Sequence, residues 1–190
     1  MLTFNETGWC VEAVHSPSPN FDSRPAATAV DLIVIHNISL PPGQFGGPYI
    51  TDLFLNRLDF DIHPYFDRLR NIRVSAHFLI RRDGALVQFV SVHERAWHAG
   101  ASSFQGRTQC NDFSIGIEME GSDDSSFTDS QYRVLVELTV ALATAFPVTS
   151  VASHQAIAPG RKTDPGPGFD WNRYEKALSS TIHPGLFFYV

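Results

Sequence analysis

The stretch AVDLIVIH, residues 29–36, is apolar on both of its faces and ends in a histidine. Apolar side chains on both faces are typical of a central strand in a sheet that is covered on both sides. In α/β sheets, ligands gather at the ends of such strands. His36 occupies that end, just before a segment rich in Pro and Gly, so it is a candidate site residue. A hydrogen-bonded core histidine is the alternative.

Further strands are predicted on either side of a turn and in a later alternating segment. VSAHFLI (residues 74–80) and ALVQFV (residues 85–90) enclose the dipeptide Asp83-Gly84, which indicates a hairpin. In FSIGIEME, residues 113–120, the two isoleucines and the methionine share one face, and the glycine and both glutamates share the other.

The two glutamates of that strand raise different expectations. A carboxylate in a central strand loses its hydration and needs a cation, a metal-bound water or a raised pKa. We expect this of Glu118, which lies between apolar neighbours, and we expect Glu120 to lie in solvent. An edge strand with both carboxylates in solvent is the alternative.

Helix signals are local and clear. TDSQ forms a capping box, with Thr128 as the N-cap and Gln131 reaching back, and the apolar positions that follow have helical spacing up to Pro147. Two further helices are expected, one after Asp170 and one after Pro48.

These elements predict a single α/β domain, in which helices pack on a central, mainly mixed β-sheet. The domain is expected to span residues 1–190, with its core at about 28–180. Long loops are expected at residues 37–47, 56–73 and 97–112.

Composition narrows the classes of partner. The 190 residues carry a net charge of −6, which disfavours a nucleic-acid or anionic-membrane surface, so the partner is expected to be small or peptide-like. No apolar run is long enough to cross a membrane, and the first residues lack the features of a secretion signal. Cys10 and Cys110 are isolated, which favours two reduced thiols over a disulfide.

The segment SHQAIAPGRKTDPGPGFDW, residues 153–171, is predicted to be a loop because of its prolines and glycines. Should the loop fold back, His154 and Asp164 could converge, and nitrogen with carboxylate oxygen is an acceptable zinc set. Lys162 would then lie nearby as a donor. A solvated loop is the alternative.

Local spacing alone does not identify a metal site. The chain has no HExxH motif and no paired Cys/His spacing, and a single histidine is more often structural than a ligand. The eight histidines are His15, His36, His63, His77, His93, His98, His154 and His183.

Several long blocks in order resemble a known family. They are VIHNISLPPGQFGGPYI (34–50), VSAHFLIRRDGALVQFV (74–90), RAWHAGASSFQGRTQCNDFSIGIEMEG (95–121) and IAPGRKTDPGPGFDW (157–171). They resemble the zinc-dependent N-acetylmuramoyl-L-alanine amidases, and among them the cytoplasmic enzymes of bacterial cell-wall recycling. Peptidoglycan recognition proteins share the fold of this family.

The resemblance implies a role for each matching residue. Zinc would be held by His36, His154 and Asp164, with a fourth position open to water. Glu118 would act as general base and then general acid. Lys162, together with zinc, would offset the negative oxygen of the tetrahedral intermediate.

The resemblance also implies a reaction and a cellular setting. The reaction is hydrolysis of the amide between the lactyl group of N-acetylmuramic acid and L-alanine of the stem peptide. A small, soluble 1,6-anhydro-muropeptide would be the preferred substrate. A cytoplasmic monomer is expected, with an effect on β-lactamase induction and without nucleic-acid or membrane partners.

Five residues are candidates for substrate contacts. Trp97 and His98 offer a stacking face and a polar tip that suit a sugar, although such an aromatic is often core. Asn37 could hydrogen-bond at the site. Arg73 and Arg107 could pair with stem-peptide carboxylates, or be surface charges.

Two rival functions follow from the same fold. One is a recognition module that binds peptidoglycan without cleaving it, and the other is a phage-type amidase that also binds a polymerase. The first is disfavoured because all five residues matched to metal binding and catalysis are present. The second is disfavoured by the acidic charge of the chain and the end-to-end extent of the resemblance.

Overall fold

The computed structural model describes residues 1–181 and 185–190, so His183 lies outside the described residues. The strands are β1 (Val14–His15), β2 (Phe21–Ser23), β3 (Leu32–Ile38), β4 (Phe78–Ile80), β5 (Leu86–Gln88), β6 (Glu94–Ala96), β7 (Ser103–Phe104), β8 (Arg107–Thr108), β9 (Ser114–Glu120), β10 (Ser150–Ser153) and β11 (Phe187–Tyr189). The helices are α1 (Tyr49–Phe54), α2 (Asp129–Ala145), α3 (His154–Ile157) and α4 (Trp171–Ser179), with 3-10 turns at Pro64–Leu69 and Cys110–Asp112.

The main sheet is mixed and places the most apolar strand near its middle. Its order is β1-β5-β4-β9-β3-β10-β11, and every neighbouring pair is parallel except the β4–β5 hairpin. The predictions of an α/β class, of a central strand at β3 and of a hairpin at Asp83-Gly84 are therefore confirmed.

The two faces of the sheet are covered differently. On one face, Ile33, Ile35, Ile115 and Ile117 pack with the apolar sides of α2 and α4. The opposite face carries α1 and the long connecting segments, which form two separate apolar clusters. The space between these two clusters lies over the middle of β9 and β3.

The predicted helices all form, and their caps explain where they begin. At α2, Thr128 Oγ1 accepts from the Gln131 amide at 3.1 Å, and Gln131 Oε1 accepts from the Thr128 amide at 3.0 Å, which completes the capping box. At α4, Asp170 Oδ1 accepts from the Arg173 amide at 2.9 Å. In the part of the chain that the structure describes, no helix combines the length and apolarity needed to cross a bilayer.

Two expectations about local environment are wrong. Glu120 is 1% exposed, because Arg81 and the backbone amides of Gly46 and Arg82 enclose its carboxylate. The segment 153–171 is not loop throughout, since Ser153 ends β10 and His154–Ile157 form α3. Cys10 and Cys110 are both free and buried, as predicted for reduced thiols.

Candidate functional site

Strand register aligns three chemically active side chains across one face of the sheet. His36 on β3 is paired with Glu118 on β9, and Ile35 is paired with Ser153, the last residue of β10. His154 therefore follows at the level of His36. Because paired residues point to the same face, His36, Glu118 and His154 project into the space between the two apolar clusters.

A carboxylate from the following loop completes a cluster with the two histidines. His36 Nδ1 lies 2.9 Å from His154 Nδ1 and 3.0 Å from Asp164 Oδ2, and His154 Nδ1 lies 2.9 Å from the same oxygen. Both histidines are buried, and the Asp164 side chain is 14% exposed. Three potential ligand atoms thus converge on one point.

The chemistry of these atoms calls for a positive charge at their centre. His154 Nε2 lies 3.3 Å from the carbonyl oxygen of Ala99, which can only accept, so Nε2 carries a proton. In the neutral ring, Nδ1 is then a lone pair facing a carboxylate. A proton can be shared by two of the three atoms, whereas a metal ion can bind all three, and two nitrogens with one carboxylate oxygen suit zinc.

The protonation states of His36 and Asp164 agree with a ligand role. Burial, reinforced by His154, lowers the pKa of His36 to about 4, so this ring is neutral near pH 7. Burial raises the pKa of Asp164, but its contacts with His154 and His36 outweigh that effect and hold the pKa below its ordinary range. A neutral imidazole and an ionised carboxylate are the forms that bind metals.

The loop that carries Asp164 is tied to β3 and to the segment after β9. Asn37 Nδ2 donates to Asp123 Oδ1 at 2.7 Å and to the Pro165 carbonyl at 3.0 Å. Gly166 has a φ of +77°, and a Cβ built there would lie 2.3 Å from Asp123 Cα. Only glycine permits this close approach, which places the Asp164 loop against the strand end.

Glu118 carries an unsatisfied carboxylate oxygen at the site, and Trp97 Nε1 is likewise buried without a partner among the described residues. Glu118 is 8% exposed, and its Oε2 has no hydrogen-bond partner within residues 1–181 and 185–190. Burial, together with the charge of Asp164, raises its pKa well above the ordinary value, while Lys162 lowers it. A carboxyl group with a raised pKa in a cavity is suited to taking up and releasing protons.

A cavity of about 470 Å³ opens over these residues. Lys162 and Thr163 line it on the side of the Asp164 loop. Tyr65, Leu69 and Ile72 line it on the side of the 3-10 turn Pro64–Leu69. The cavity therefore has a charged floor and one apolar wall.

Most of the residues predicted for the site meet at this cavity, but two do not. Its lining includes His36, Asn37, Trp97, His98, Glu118, His154, Lys162 and Asp164. Arg107 instead pairs with both oxygens of Asp31 at 2.9 and 3.0 Å, and it stacks 3.8 Å from the Phe113 ring centre. Arg73 is exposed and donates to the Ile72 carbonyl. Neither arginine is among the described residues that line the cavity.

Among the residues at or next to the site that the sequence did not predict, Arg161, Asn111 and Tyr65 make contacts that shape it. Arg161 donates to the carbonyl of Ala99 at 2.6 Å and to that of Ala101. Asn111 Oδ1 accepts from the backbone amides of His98 and Ala99. Tyr65 lies in the apolar wall. The only sequence signals were that Arg161 adjoins Lys162, and that Asn111 and Tyr65 fall within predicted loops.

Comparison with known proteins gives matches along most of the chain. A family model described as N-acetylmuramoyl-L-alanine amidase matches residues 26–167. The 1,6-anhydro-N-acetylmuramyl-L-alanine amidase AmpD of Citrobacter freundii is 53% identical over 180 residues, which is 94% of this chain and 96% of that protein.

Solved structures agree with these sequence matches. A crystal structure of a selenomethionine derivative of AmpD superposes with a TM-score of 0.90 at 53% identity, covering 94% of this chain and 99% of that one. AmiD from Escherichia coli, in complex with the substrate anhydro-N-acetylmuramic acid-L-Ala-D-gamma-Glu-L-Lys, superposes with a TM-score of 0.57 at 26% identity. That match covers 93% of this chain and 65% of AmiD.

Proposed function

The chain belongs to the N-acetylmuramoyl-L-alanine amidase family, and from that membership we propose which residues perform its hydrolysis. It is an amidase that cleaves the amide between the lactyl group of 1,6-anhydro-N-acetylmuramic acid and L-alanine of the stem peptide. The proposed domain spans residues 1–190, and the proposed setting is cytoplasmic muropeptide recycling by a monomer. The substrate is a small muropeptide, as in the complex of AmiD.

The proposed cofactor is Zn²⁺, held by His36, His154 and Asp164. The observation that carries this assignment is the convergence of two imidazole nitrogens and one carboxylate oxygen within 3.0 Å of one another. When bound, zinc supplies Lewis acidity and lowers the pKa of a water that it binds to about 7.

Glu118 is proposed as the general base and general acid. Its carboxyl group lines the same cavity as the cluster, and its buried oxygen lacks a partner in the described residues. In the first step it accepts a proton from the attacking water. It then returns that proton to the nitrogen of L-alanine as the amide bond breaks, so that one water is consumed and one carboxylate and one amine are formed.

Lys162 is proposed to stabilise the negative charge that develops on the lactyl carbonyl oxygen. It lines the cavity two residues before Asp164, and its positive charge is felt by both His36 and Glu118. A fixed positive charge near a developing oxyanion is a strong contributor to catalysis in a site that excludes water.

Product analysis tests this proposal against the recognition module. The zinc-loaded protein is incubated with an anhydro-muropeptide in ¹⁸O water, and mass spectrometry should show free stem peptide and ¹⁸O in the lactyl carboxylate. Glu118→Gln, which keeps the shape of the side chain, is the matched inactive control. A bound but intact muropeptide with the wild-type protein would favour the recognition module.

A further inference from the structure

The ring of His36 contacts a second histidine, His98, on the side that faces away from the metal cluster. His36 Nε2, the nitrogen that faces away from the metal cluster, lies 3.0 Å from His98 Nδ1, and the two rings meet edge to face. His98 Nε2 lies 3.3 Å from Ser114 Oγ, and Ser114 Oγ lies 2.5 Å from the carbonyl oxygen of Cys110. These contacts form one series of hydrogen bonds that ends on the backbone carbonyl of Cys110.

The Cys110 carbonyl, which ends this series of hydrogen bonds, determines the direction of every hydrogen bond in the series. The Cys110 carbonyl can only accept, so the hydroxyl proton of Ser114 is used there and Ser114 Oγ accepts from His98 Nε2–H. In neutral His98, Nδ1 is then an acceptor, and it takes the proton of His36 Nε2–H. His36 Nδ1 is left as a lone pair that points at the cluster.

The same backbone segment holds the second histidine of the cluster. The Ala99 carbonyl accepts from His154 Nε2 at 3.3 Å. Asn111 Oδ1 accepts from the His98 amide at 3.1 Å and from the Ala99 amide at 2.7 Å, which fixes both residues. Asn111 is itself buried, and so is Ser114.

Gly116 on β9 has no side chain and therefore leaves space for the His98 ring. A Cβ built at Gly116 would lie 2.4 Å from His98 Cγ and 2.6 Å from His98 Nδ1. Gly116 lies on the same face of the strand as Glu118, two residues before it. The ring that contacts His36 therefore rests directly on the sheet.

We propose that His98 is a positioning residue, which fixes the tautomer and the orientation of His36 for metal binding. This role rests on the proposed zinc site, and it replaces direct sugar contact as the function of His98. The imidazole that orients a metal-bound histidine contributes to metal affinity, because it holds the ligand ring in the form that binds.

The test compares two substitutions of nearly equal shape. His98→Asn retains an acceptor close to the position of Nδ1, whereas His98→Leu does not. Zinc affinity, measured by competition with a chelator, should fall about 10–100-fold in the Leu variant and stay within about threefold of wild type in the Asn variant. Melting of the metal-free proteins reports whether both variants fold.

A spectroscopic measurement on the unmodified protein gives an independent reading. In zinc-loaded protein with ¹⁵N-labelled histidine, His98 should be the Nε2–H tautomer.

Ser114→Ala, which keeps the His98 ring, should cause a smaller loss of zinc affinity, below about 10-fold. This variant serves if His98→Leu does not fold.

The outcomes separate this role from the metal site itself. Equal zinc affinity of the Asn and Leu variants, or an Nδ1–H tautomer of His98, would overturn the role of His98 while wild-type zinc binding stands. Failure of the wild-type protein to bind zinc would overturn the proposed metal site, and the role of His98 with it.

Discussion

Removing the Glu120 carboxylate should destabilise the protein strongly, although the sequence predicts a side chain in solvent. Oε1 accepts from the Gly46 amide at 2.7 Å and from Arg81 Nη1 at 3.2 Å, and Oε2 accepts from the Arg82 amide at 3.0 Å. The Glu120→Ala change leaves two backbone amides and one guanidinium without this partner.

The size of the effect follows from what each donor retains. Removing one partner of a buried ion pair costs about 3–5 kcal/mol. The Arg81 side chain is 17% exposed and keeps its bonds to the Gly47 carbonyl and to Thr51 Oγ1, so the loss should lie near the lower limit, at about 3 kcal/mol. With an m-value of about 2–3 kcal/mol per molar urea, the midpoint should fall by about 1–1.5 M.

Urea unfolding of metal-free protein measures this shift, and Glu118→Ala is the matched control. Both substitutions remove the same atoms from the same face of β9. Glu118 differs from Glu120, because its buried oxygen has no partner among the described residues. Burial raises its pKa, so at a pH above the ordinary pKa of a glutamate this group makes the folded state less stable. Its removal should therefore not lower stability by more than about 1 kcal/mol. A Glu120→Ala midpoint within about 0.3 M of wild type would refute the ion-pair account.

Four further predictions concern the metal, the proposed catalytic lysine and pH. Chelation should abolish hydrolysis and lower the melting temperature, and zinc should restore both; an unchanged melting temperature after verified metal removal would contradict ligation in the folded state. Lys162→Ala should retain zinc and lose about 10²–10³-fold in kcat, whereas a change in KM alone would make Lys162 a binding residue. Zinc affinity should decrease from wild type to Asp164→Asn to Asp164→Ala, and equal affinities would exclude Asp164 as a ligand. Burial and Arg24 lower the pKa of His77 to about 3, so only the unfolded chain takes up this proton between pH 6.5 and 3. Stability should therefore fall as pH drops below about 6.5, by up to about 1.4 kcal/mol per pH unit from this group, with a shallower slope in His77→Gln.

The elements of the fold were predictable because their signals are local. The apolar run of β3, the Asp-Gly turn and the capping box of α2 each lie within a few residues of the structure that they specify. The convergence of His36, His154 and Asp164 was predicted through resemblance to a family, since 118 residues separate the two histidines.

What the sequence could not predict concerns partners that are distant in the chain. The alternation of apolar and polar residues predicts the correct face of β9 for Glu120. The residues that cover that face, however, come from a hairpin and from the loop around Gly46. Arg107 is charged and lies in a predicted loop, yet its partner Asp31 is 76 residues away. The sequence identifies which residues are charged but not which residues pair with them, because those pairs form only through tertiary packing.

One face of β9 shows why the site depends on the register of the sheet. Gly116, Glu118 and Glu120 lie on that face, about 6.6 Å apart along the strand, and they meet three different environments. Gly116 lies beneath His98, Glu118 lines the cavity, and Glu120 is enclosed by Arg81 and two amides. A slip of one residue would present apolar side chains at each of these positions and turn both carboxylates toward the core beneath α2. The buried isoleucines of the opposite face prevent that slip, so the packing that stabilises the fold also holds Glu118 level with His36.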